Sequence, residues 1–274
     1  MVRWRSGRRS EHVEDRRSMR GVGIAGGGVA ILVAALLVWA LGGDPAQVLQ
    51  IPEGATTSPA GPPPADDEAA QFVSSILAST EDVWTEVFAE RGATYEPPTL
   101  VLFTDIVQSG CGTAGSQTGP FYCPLDGKVY LDLGFFRELA RLGGPGDFAA
   151  AYVIGHEVGH HVQNLSGTAD EVRALQQQYP TDANELSVRL ELQADCYAGL
   201  WASRANRTGA FLEPGDAEEG LAAAAAIGDD RLARSGAGAV SPETFTHGTS
   251  DQRAQWLATG LEQSTPESCD TFRS

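Results

Sequence analysis

The sequence predicts an α+β protein, mainly helical with a small sheet, preceded by one N-terminal transmembrane helix. Three observations predict this fold class. Residues 21–43 form an uncharged apolar run, the segments near 99–104 and 128–133 have the composition of short strands, and the chain after residue 133 follows a helical pattern almost to its end. Few strands placed before several helices favour an α+β domain of roughly 200 residues.

Charge is divided unevenly along the chain. The 274 residues carry a formal net charge of −17, yet residues 1–20 hold seven arginines against three acidic groups. The remainder is strongly acidic and repels phosphate, so we expect no sequence-independent binding of nucleic acid. The split indicates two environments for one chain.

Residues 21–43 are long enough to cross a bilayer, since about 1.5 Å per helical residue gives roughly 30 Å. The positive-inside rule then predicts a single-pass protein of the cell membrane, with residues 1–20 as a cytoplasmic Arg-rich tail and the chain after residue 43 outside. A signal peptide cleaved near Ala40-Leu41-Gly42 is the alternative, which the long leader and the long apolar run disfavour.

The rest of the chain divides into a linker and a domain. Residues 44–67 are rich in Pro, Ala, Thr and Gly and are expected to be flexible, and residues 68–274 form the predicted extracytoplasmic domain. The elements expected in this domain are helices over 68–91, 148–164 with Asp147 as N-cap, about 182–207, from Pro214 and over 250–261, strands over Thr99–Thr104 and Lys128–Leu133, and a loop over 109–127.

All four cysteines follow the apolar run, and in an oxidising compartment an even number would pair. Cys111–Cys123 is the favoured pair, because the eleven residues between them contain three Gly and a Pro. Cys196–Cys269 would then tie the C-terminus to a helix. Four buried free thiols are the alternative.

The candidate chemistry begins at residues 156–161, His-Glu-Val-Gly-His-His. His156 and His160 are four residues apart, so on a helix both imidazoles can reach one ion. Glu157 is displaced by about 100° from His156, which suits a general base acting on water activated by the metal. Gly155 and Gly159 would let a neighbouring element approach this helix closely.

A catalytic zinc site needs a third protein ligand. Glu191 and Asp195 share a face of the next long helix, where two like charges four residues apart are unfavourable unless each has a buried partner. We therefore expect Glu191 to ligate the ion and Asp195 to accept the free N–H of a ligating histidine. A solvated acidic helix face is the alternative.

These motifs resemble the bacterial putative neutral zinc metallopeptidase family, of the gluzincin type. The resemblance rests on His156-Glu-Val-Gly-His160 and Glu191-Leu-Gln-Ala-Asp195, on the Arg-rich start, on the Cys-containing segment 111–124 and on residues 245–250. It implies a gluzincin-like fold, one zinc ion, peptidase activity, Glu191 as third ligand and Asp195 as the residue that orients a ligand.

His247 is a second candidate catalytic residue. Some membrane-linked gluzincins are similar in having a histidine followed by an arginine, here Arg253, near the site. Its functional role would be to donate to the oxyanion formed during hydrolysis, and its structural role would be to cap or pack against the last helix. His161 is expected to pack or meet solvent rather than ligate.

The sequence thus predicts a membrane-anchored zinc metallopeptidase that hydrolyses peptide or protein substrates in the cell envelope. A catalytically idle, metal-stabilised envelope domain that binds a partner is the alternative. Zinc-dependent hydrolysis of another amide, such as cell-wall material, is a third possibility, because substrate choice depends on the shape of the cleft. The oligomeric state is left open.

Overall fold

The computed structural model describes residues 1–17, 61–209, 211–235 and 242–273. The predicted transmembrane helix 21–43 and residues 44–60 of the predicted linker lie outside this set. Among the described residues, the helices are all too short or too polar to cross a bilayer.

The strands form one mixed sheet and one small hairpin. In the main sheet the order is β1-β2-β6-β5, with β1 and β2 parallel, β2 and β6 parallel, and β5 and β6 antiparallel. Strands β3 and β4 pair separately as an antiparallel hairpin. The strands are β1 Val13–Asp15, β2 Thr99–Phe103, β3 Ile106–Ser109, β4 Gly112–Gly115, β5 Phe121–Cys123 and β6 Lys128–Asp132.

Helices make up most of the described chain, as expected for a mainly helical α+β protein. They are α1 Glu68–Ala89, α2 Phe135–Leu142, α3 Asp147–Leu165, α4 Thr168–Gln178, α5 Ala183–Gly209, α6 Asp216–Ala226, α7 Asp229–Ser235 and α8 Ser250–Gln263. The expected helices and both expected strands are present, within a few residues of the predicted bounds.

Helix α3 lies at the centre of the domain and packs against α1, α5 and α6. Its first thirteen residues are buried apart from Asp147, and Phe148 and Tyr152 have no exposed surface. A helix that is apolar on all sides is stable only when it is covered on all sides. The core around it includes Trp84 of α1 and Trp201 of α5, which are 1% and 0% exposed.

Small residues let α5 approach α3 closely. A Cβ atom built on Gly159 would lie 3.0 Å from the carbonyl oxygen of Ala194, and one on Gly155 would lie 2.7 Å from the Trp201 ring. The close approach expected at these two glycines is therefore present. It positions the part of α5 that contains residues 191–195 beside the part of α3 that contains residues 156–160.

A similar approach joins α8 to α5. A Cβ atom on Gly260 would lie 2.0 Å from the carbonyl oxygen of Cys196, a distance that atoms cannot adopt without a shift of the backbone. The two helices are in contact along most of the length of α8. This contact places the first turn of α8 above the central turns of α5.

The first seventeen residues belong to the folded body, which corrects the prediction of a separate tail over 1–20. Strand β1 extends the main sheet, and Val2 and Trp4 are buried in the core. The prediction was wrong for residues 1–17 because their apolar residues are few and scattered among arginines. Residues 61–67, expected in the linker, also contact the body, where Gly61 bridges to Asp15.

Two local predictions were wrong. The expected loop over 109–127 contains β4 and β5, because disulfide and sheet contacts order a stretch whose composition favours a loop. Asp147 is the first residue of α3 rather than its N-cap; Gly146 occupies the cap position. The Glu219 carboxylate of α6 accepts a hydrogen bond from the Phe148 amide at 3.2 Å, so a distant residue satisfies this helix start.

Both predicted disulfides are present. Cys111 pairs with Cys123, which joins the β3–β4 hairpin to strand β5. Cys196 pairs with Cys269, which ties the C-terminal segment to α5. None of the four cysteines is free.

Candidate active site

Helices α3 and α5 bring three side chains of ligand type together. His156 Nε2 lies 3.1 Å from Glu191 Oε2, and His160 Nε2 lies 3.3 Å from Glu191 Oε1. Ligand atoms of all three residues lie within 4.8 Å of one another. The structure therefore joins the two histidines of one helical turn to the distant carboxylate that the sequence assigns to the same ion.

The spacing of these atoms fits zinc. Zinc binds nitrogen and oxygen at about 2.0–2.2 Å in a tetrahedron, which puts its ligand atoms about 3.4 Å apart. The two separations from Glu191, 3.1 and 3.3 Å, are close to this value. Two imidazoles and one carboxylate also leave one tetrahedral position for water, as a catalytic site requires.

Each histidine is oriented by an oxygen atom on its other side. His156 Nδ1 lies 2.7 Å from Asp195 Oδ1, and His160 Nδ1 lies 2.9 Å from Gln163 Oε1. When Nδ1–H donates to these oxygens, the neutral tautomer has its lone pair on Nε2. Both Nε2 atoms then point their lone pairs at Glu191, as metal ligation needs. Asp195 is thus placed where the sequence predicts.

Sequence reasoning missed the role of Gln163, which is fully buried in α3. Its amide nitrogen donates to the Leu190 carbonyl at 2.7 Å and to Gln193 Oε1 at 3.1 Å. These two acceptors orient the amide so that its oxygen faces His160. The available signal was its position three residues after His160, which places it on the same helix face.

The sequence predicts only that Arg253 lies near the site, whereas in the structure it is the main partner of Asp195. Its Nε and Nη2 atoms donate to the two oxygens of Asp195 at 2.9 Å each, and Tyr152 donates to Asp195 as well. Arg253 and Asp195 are 2% and 0% exposed. Burial acts to raise the pKa of Asp195, but Arg253 and His156 outweigh it and hold that pKa below its usual range.

In the metal-free protein, electrostatics favour a protonated His156 and an ionised Glu191. Burial acts to lower the pKa of His156, but the carboxylates of Asp195 and Glu191 raise it to about 10. Burial acts to raise the pKa of Glu191, but the two histidines hold it well below its usual range. A cation at the centre of the triad would take the place of the imidazole protons.

Glu157 lies beside the triad and lines the same cleft. Its side chain is almost fully buried, and burial raises the pKa of its carboxyl group. A carboxylate that is poorly solvated is a stronger base than one in water. The position and the shift both suit a group that takes up a proton during a reaction.

His247 also lines the cleft, and about half of its side chain is exposed. Its Nδ1 atom lies 3.1 Å from Asp229 Oδ1, and its backbone amide donates to the other oxygen of Asp229. The cap of α8 is Thr249 rather than His247. His247 is therefore held at the edge of the cleft, and its catalytic role stays a prediction.

His161 lies outside the triad and is buried. Its Nε2 atom donates to the Glu96 carbonyl at 2.6 Å, so Nδ1 is left to accept from the Tyr122 hydroxyl at 3.1 Å. Burial lowers the pKa of His161, which agrees with a neutral ring. This histidine attaches strand β5 to α3, as its expected packing role implies.

The cleft around these residues has a volume of about 1110 Å³. Its lining includes apolar side chains such as Phe135 at the start of α2 and Ile227 directly after α6. It also includes polar side chains such as Gln176 of α4 and Ser187 of α5. Strand β5 also borders it through Phe121 and Tyr122.

The chain has bacterial relatives along its whole length. The uncharacterized protein YpfJ of Escherichia coli K12 is 46% identical over 284 residues, which cover 99% of each chain. The uncharacterized protein Mb2605 of Mycobacterium bovis is 43% identical over 216 residues, which cover 75% of this chain and 72% of that protein. No solved structure gives a significant match.

The family model described as putative neutral zinc metallopeptidase matches residues 2–272. This match spans the strands, the helices and every residue of the triad. The family implies a zinc-dependent hydrolase, and the geometry of His156, His160 and Glu191 fits that metal. From its sequence match and its site, this chain belongs to the putative neutral zinc metallopeptidase family.

Proposed function

We propose that this protein is a zinc-dependent metallopeptidase that hydrolyses peptide bonds in polypeptides of the cell envelope. One observation carries the proposal: His156, His160 and Glu191 converge at ligand spacing while separate oxygen atoms engage the far nitrogen of each imidazole. An ordinary buried ion pair would not need both histidines fixed in the tautomer that ligates a metal.

Zinc held by His156, His160 and Glu191 would supply the Lewis acidity that makes water a better nucleophile and polarises the scissile carbonyl group. Glu157 then takes the proton of the attacking water and delivers it to the leaving amine. The same carboxyl group serves both steps because it returns to its charged form after the second transfer. Its burial favours proton uptake.

His247 is the group that we place next to the developing oxyanion. Asp229 accepts from the backbone amide of His247 and faces its Nδ1 atom, so an imidazole ring that carries both protons donates Nδ1–H to Asp229 and Nε2–H to the substrate. A positioned donor at this point stabilises negative charge in the transition state more than in the ground state.

The shape of the cleft supports a polypeptide substrate. Strand β5 ends the main sheet and borders the cleft, and an edge strand can pair its backbone with an extended peptide. Apolar side chains, including Phe135 and Ile227, also line the cleft, so we expect the substrate to carry an apolar side chain near the scissile bond. An edge strand that can bind an extended backbone favours a peptidase over a hydrolase of other amides.

Two features support a location in the cell envelope. Both disulfides indicate folding in an oxidising compartment, outside the cytoplasm. The apolar run 21–43 supplies a segment that can attach the protein to the membrane.

The test combines a peptide-library digest with metal analysis. Both are carried out on the full-length wild-type protein and on its Glu157→Gln variant. We expect one zinc ion per chain in both proteins, chelator-sensitive cleavage by the wild type, and a loss of about 10²–10⁴-fold in cleavage rate in the variant. Glu262→Gln, at an exposed position of α8, is the control and keeps full activity. Equal behaviour of Glu157→Gln and wild type in every assay would favour the alternative of a metal-stabilised binding domain.

A further inference from the structure

The N-terminal segment, residues 1–17, supplies a strand to the main sheet. Residues Val13–Asp15 pair in parallel with Leu100–Leu102 of β2. The Arg16 amide continues the ladder by donating to the Leu102 carbonyl at 2.8 Å. Because β2 is central to the sheet, removal of this segment would leave one edge of β2 unpaired along its length.

Apolar side chains of the segment enter the core. Val2, Trp4 and Val13 are 4%, 9% and 5% exposed. The Trp4 ring packs edge-on against Phe72 of α1, with 5.6 Å between ring centroids, and its carbonyl accepts from the Ser75 hydroxyl at 2.8 Å. Burial of these three side chains is a favourable contribution that helps to offset the conformational entropy lost when the segment docks.

A buried carboxylate of α1 depends on the same segment. Glu81 is 4% exposed, and the side chains that reach it come from residues 8, 10 and 12. Arg8 lies 2.7 Å and His12 lies 2.9 Å from its oxygens. A buried carboxylate is tolerated when it is paired and hydrogen-bonded, and here the N-terminal segment supplies the partners.

The arginines that indicate a cytoplasmic tail have acidic partners on the domain. Arg3 pairs with Glu213 at 3.1 Å, Arg5 pairs with Glu68, and Arg8 pairs with Asp82 at 2.7 Å as well as with Glu81. The arginines at the start of the sequence therefore neutralise acidic groups elsewhere in the same folded body. The uneven charge of the sequence does not require two environments.

The end of the N-terminal segment lies close in space to residue 61, where the described part of the chain resumes. The Asp15 amide donates to the Gly61 carbonyl at 2.8 Å, and Arg17 pairs with Asp67 at 2.6 Å. Residues 17 and 61 thus leave and rejoin the body at neighbouring points. A single crossing of a bilayer between them would separate these groups by about 30 Å of hydrocarbon.

We propose that residues 1–17 lie in the same oxidising compartment as the catalytic domain, docked on it as its fourth sheet strand. This topology replaces the expected cytoplasmic N-terminus. It is independent of the proposed enzymatic activity, because it rests on the packing of β1 and on the two disulfides.

The first test measures thiol accessibility in bacterial spheroplasts that express the full chain. Glu11→Cys adds a thiol at an exposed position of the segment, and Gln255→Cys adds one at an exposed position of α8 as the matched control. The native cysteines are paired, so each variant has one free thiol. A membrane-impermeant maleimide is applied, and labelling is normalised to the denatured sample.

We expect both positions to be labelled to the same extent in intact spheroplasts. Labelling of Gln255→Cys alone, with Glu11→Cys labelled only after detergent, would overturn the proposal. Labelling of neither position before detergent would also overturn it, because the shared compartment would then be the cytoplasm.

The second test measures docking by thermal unfolding of the full chain. Trp4→Ala removes a buried ring, and we expect a fall in Tm of roughly 5–10 °C. Leu125→Ala, at a side chain that is 77% exposed, is the control and leaves Tm unchanged. An unchanged Tm in Trp4→Ala would mean that the segment is detached in solution, and the proposal would fail.

Discussion

Arg253 and Asp195 form a buried bidentate pair beneath the triad. Two hydrogen bonds of 2.9 Å join the guanidinium to both carboxylate oxygens, and the same carboxylate lies 2.7 Å from His156. The pair therefore links α8 to α5 and α5 to the ligand-bearing turn of α3. Helix α8 contributes no metal ligand, but through Arg253 and Asp195 it orients the ligand His156.

Loss of one member of this pair leaves the other charged and buried. We expect Arg253→Met to lower the free energy of unfolding by about 3–5 kcal/mol, because Asp195 loses its main counter-charge. Denaturant titration measures this difference. Arg273→Met breaks an exposed pair with Asp270 and should change stability by less than about 0.5 kcal/mol. Equal effects of the two variants would contradict the role that we assign to burial.

Gln163 orients His160 without touching the metal position. We expect Gln163→Leu to weaken zinc binding by about 10–100-fold while the fold is retained, since His160 loses the acceptor that fixes its tautomer. Competition with a chromogenic chelator measures the affinity. Gln255→Leu makes the same replacement at an exposed position and serves as control. An unchanged zinc affinity in Gln163→Leu would show that the hydrogen bond to His160 is dispensable.

The close approach of α8 to α5 requires a residue without a side chain at position 260. In Gly260→Ala the added Cβ would lie 2.0 Å from the Cys196 carbonyl oxygen, so the helices must separate. We expect a loss of about 1–3 kcal/mol in stability together with weaker zinc binding, because Arg253 moves away from Asp195. Gly209→Ala, where nothing lies within 4 Å, is the control. Wild-type stability in Gly260→Ala would show that the contact is looser than described.

Zinc binding should tighten as pH rises. The pKa of His156 is raised to about 10 by Asp195 and Glu191, so the zinc-free protein holds a proton on this imidazole at neutral pH. Zinc displaces that proton, and the apparent Kd should fall by about tenfold per pH unit between pH 6 and 9. Calorimetry in two buffers of different ionisation enthalpy measures the proton released. A pH-independent Kd with no proton release would contradict the charged triad.

The two disulfides should differ in their contribution to stability. Cys196–Cys269 closes a loop with a sequence separation of 73, and Cys111–Cys123 one of 12. Loop-closure entropy predicts that replacing Cys196 and Cys269 with serines lowers the free energy of unfolding by about 4 kcal/mol. Replacing Cys111 and Cys123 should lower it by about 3 kcal/mol. Denaturant unfolding of both double variants tests the order. The reverse order would mean that strain or residual structure outweighs chain entropy.

The ligand-bearing turn illustrates what sequence could predict. The spacing of His156 and His160 determines that both imidazoles lie on one helix face, since helical periodicity is set by local backbone hydrogen bonds. The unfavourable like-charge pair Glu191 and Asp195 indicated a buried partner for each, and the structure places them there. The cysteine spacing likewise favoured the two pairs that are present.

Strand β1 and the hydrogen bonds of Gln163 and Arg253 could not be predicted in the same way. A three-residue strand among arginines has no periodic pattern. It is stable because β2 pairs with it and because Glu81 binds Arg8, Ser10 and His12, which precede it. The composition of residues 1–20 predicts an Arg-rich tail, because sequence alone does not show that these arginines pair with acidic groups of the domain.

By itself the sequence determined the secondary structure around the site, the identity of the candidate ligands and the family. Tertiary structure decided which side chains orient those ligands and how residues 1–17 pack on the domain. The physical reason is range: ligand spacing depends on backbone bonds within one turn, whereas the crossings at Gly159 and Gly260 depend on packing between helices far apart in the chain.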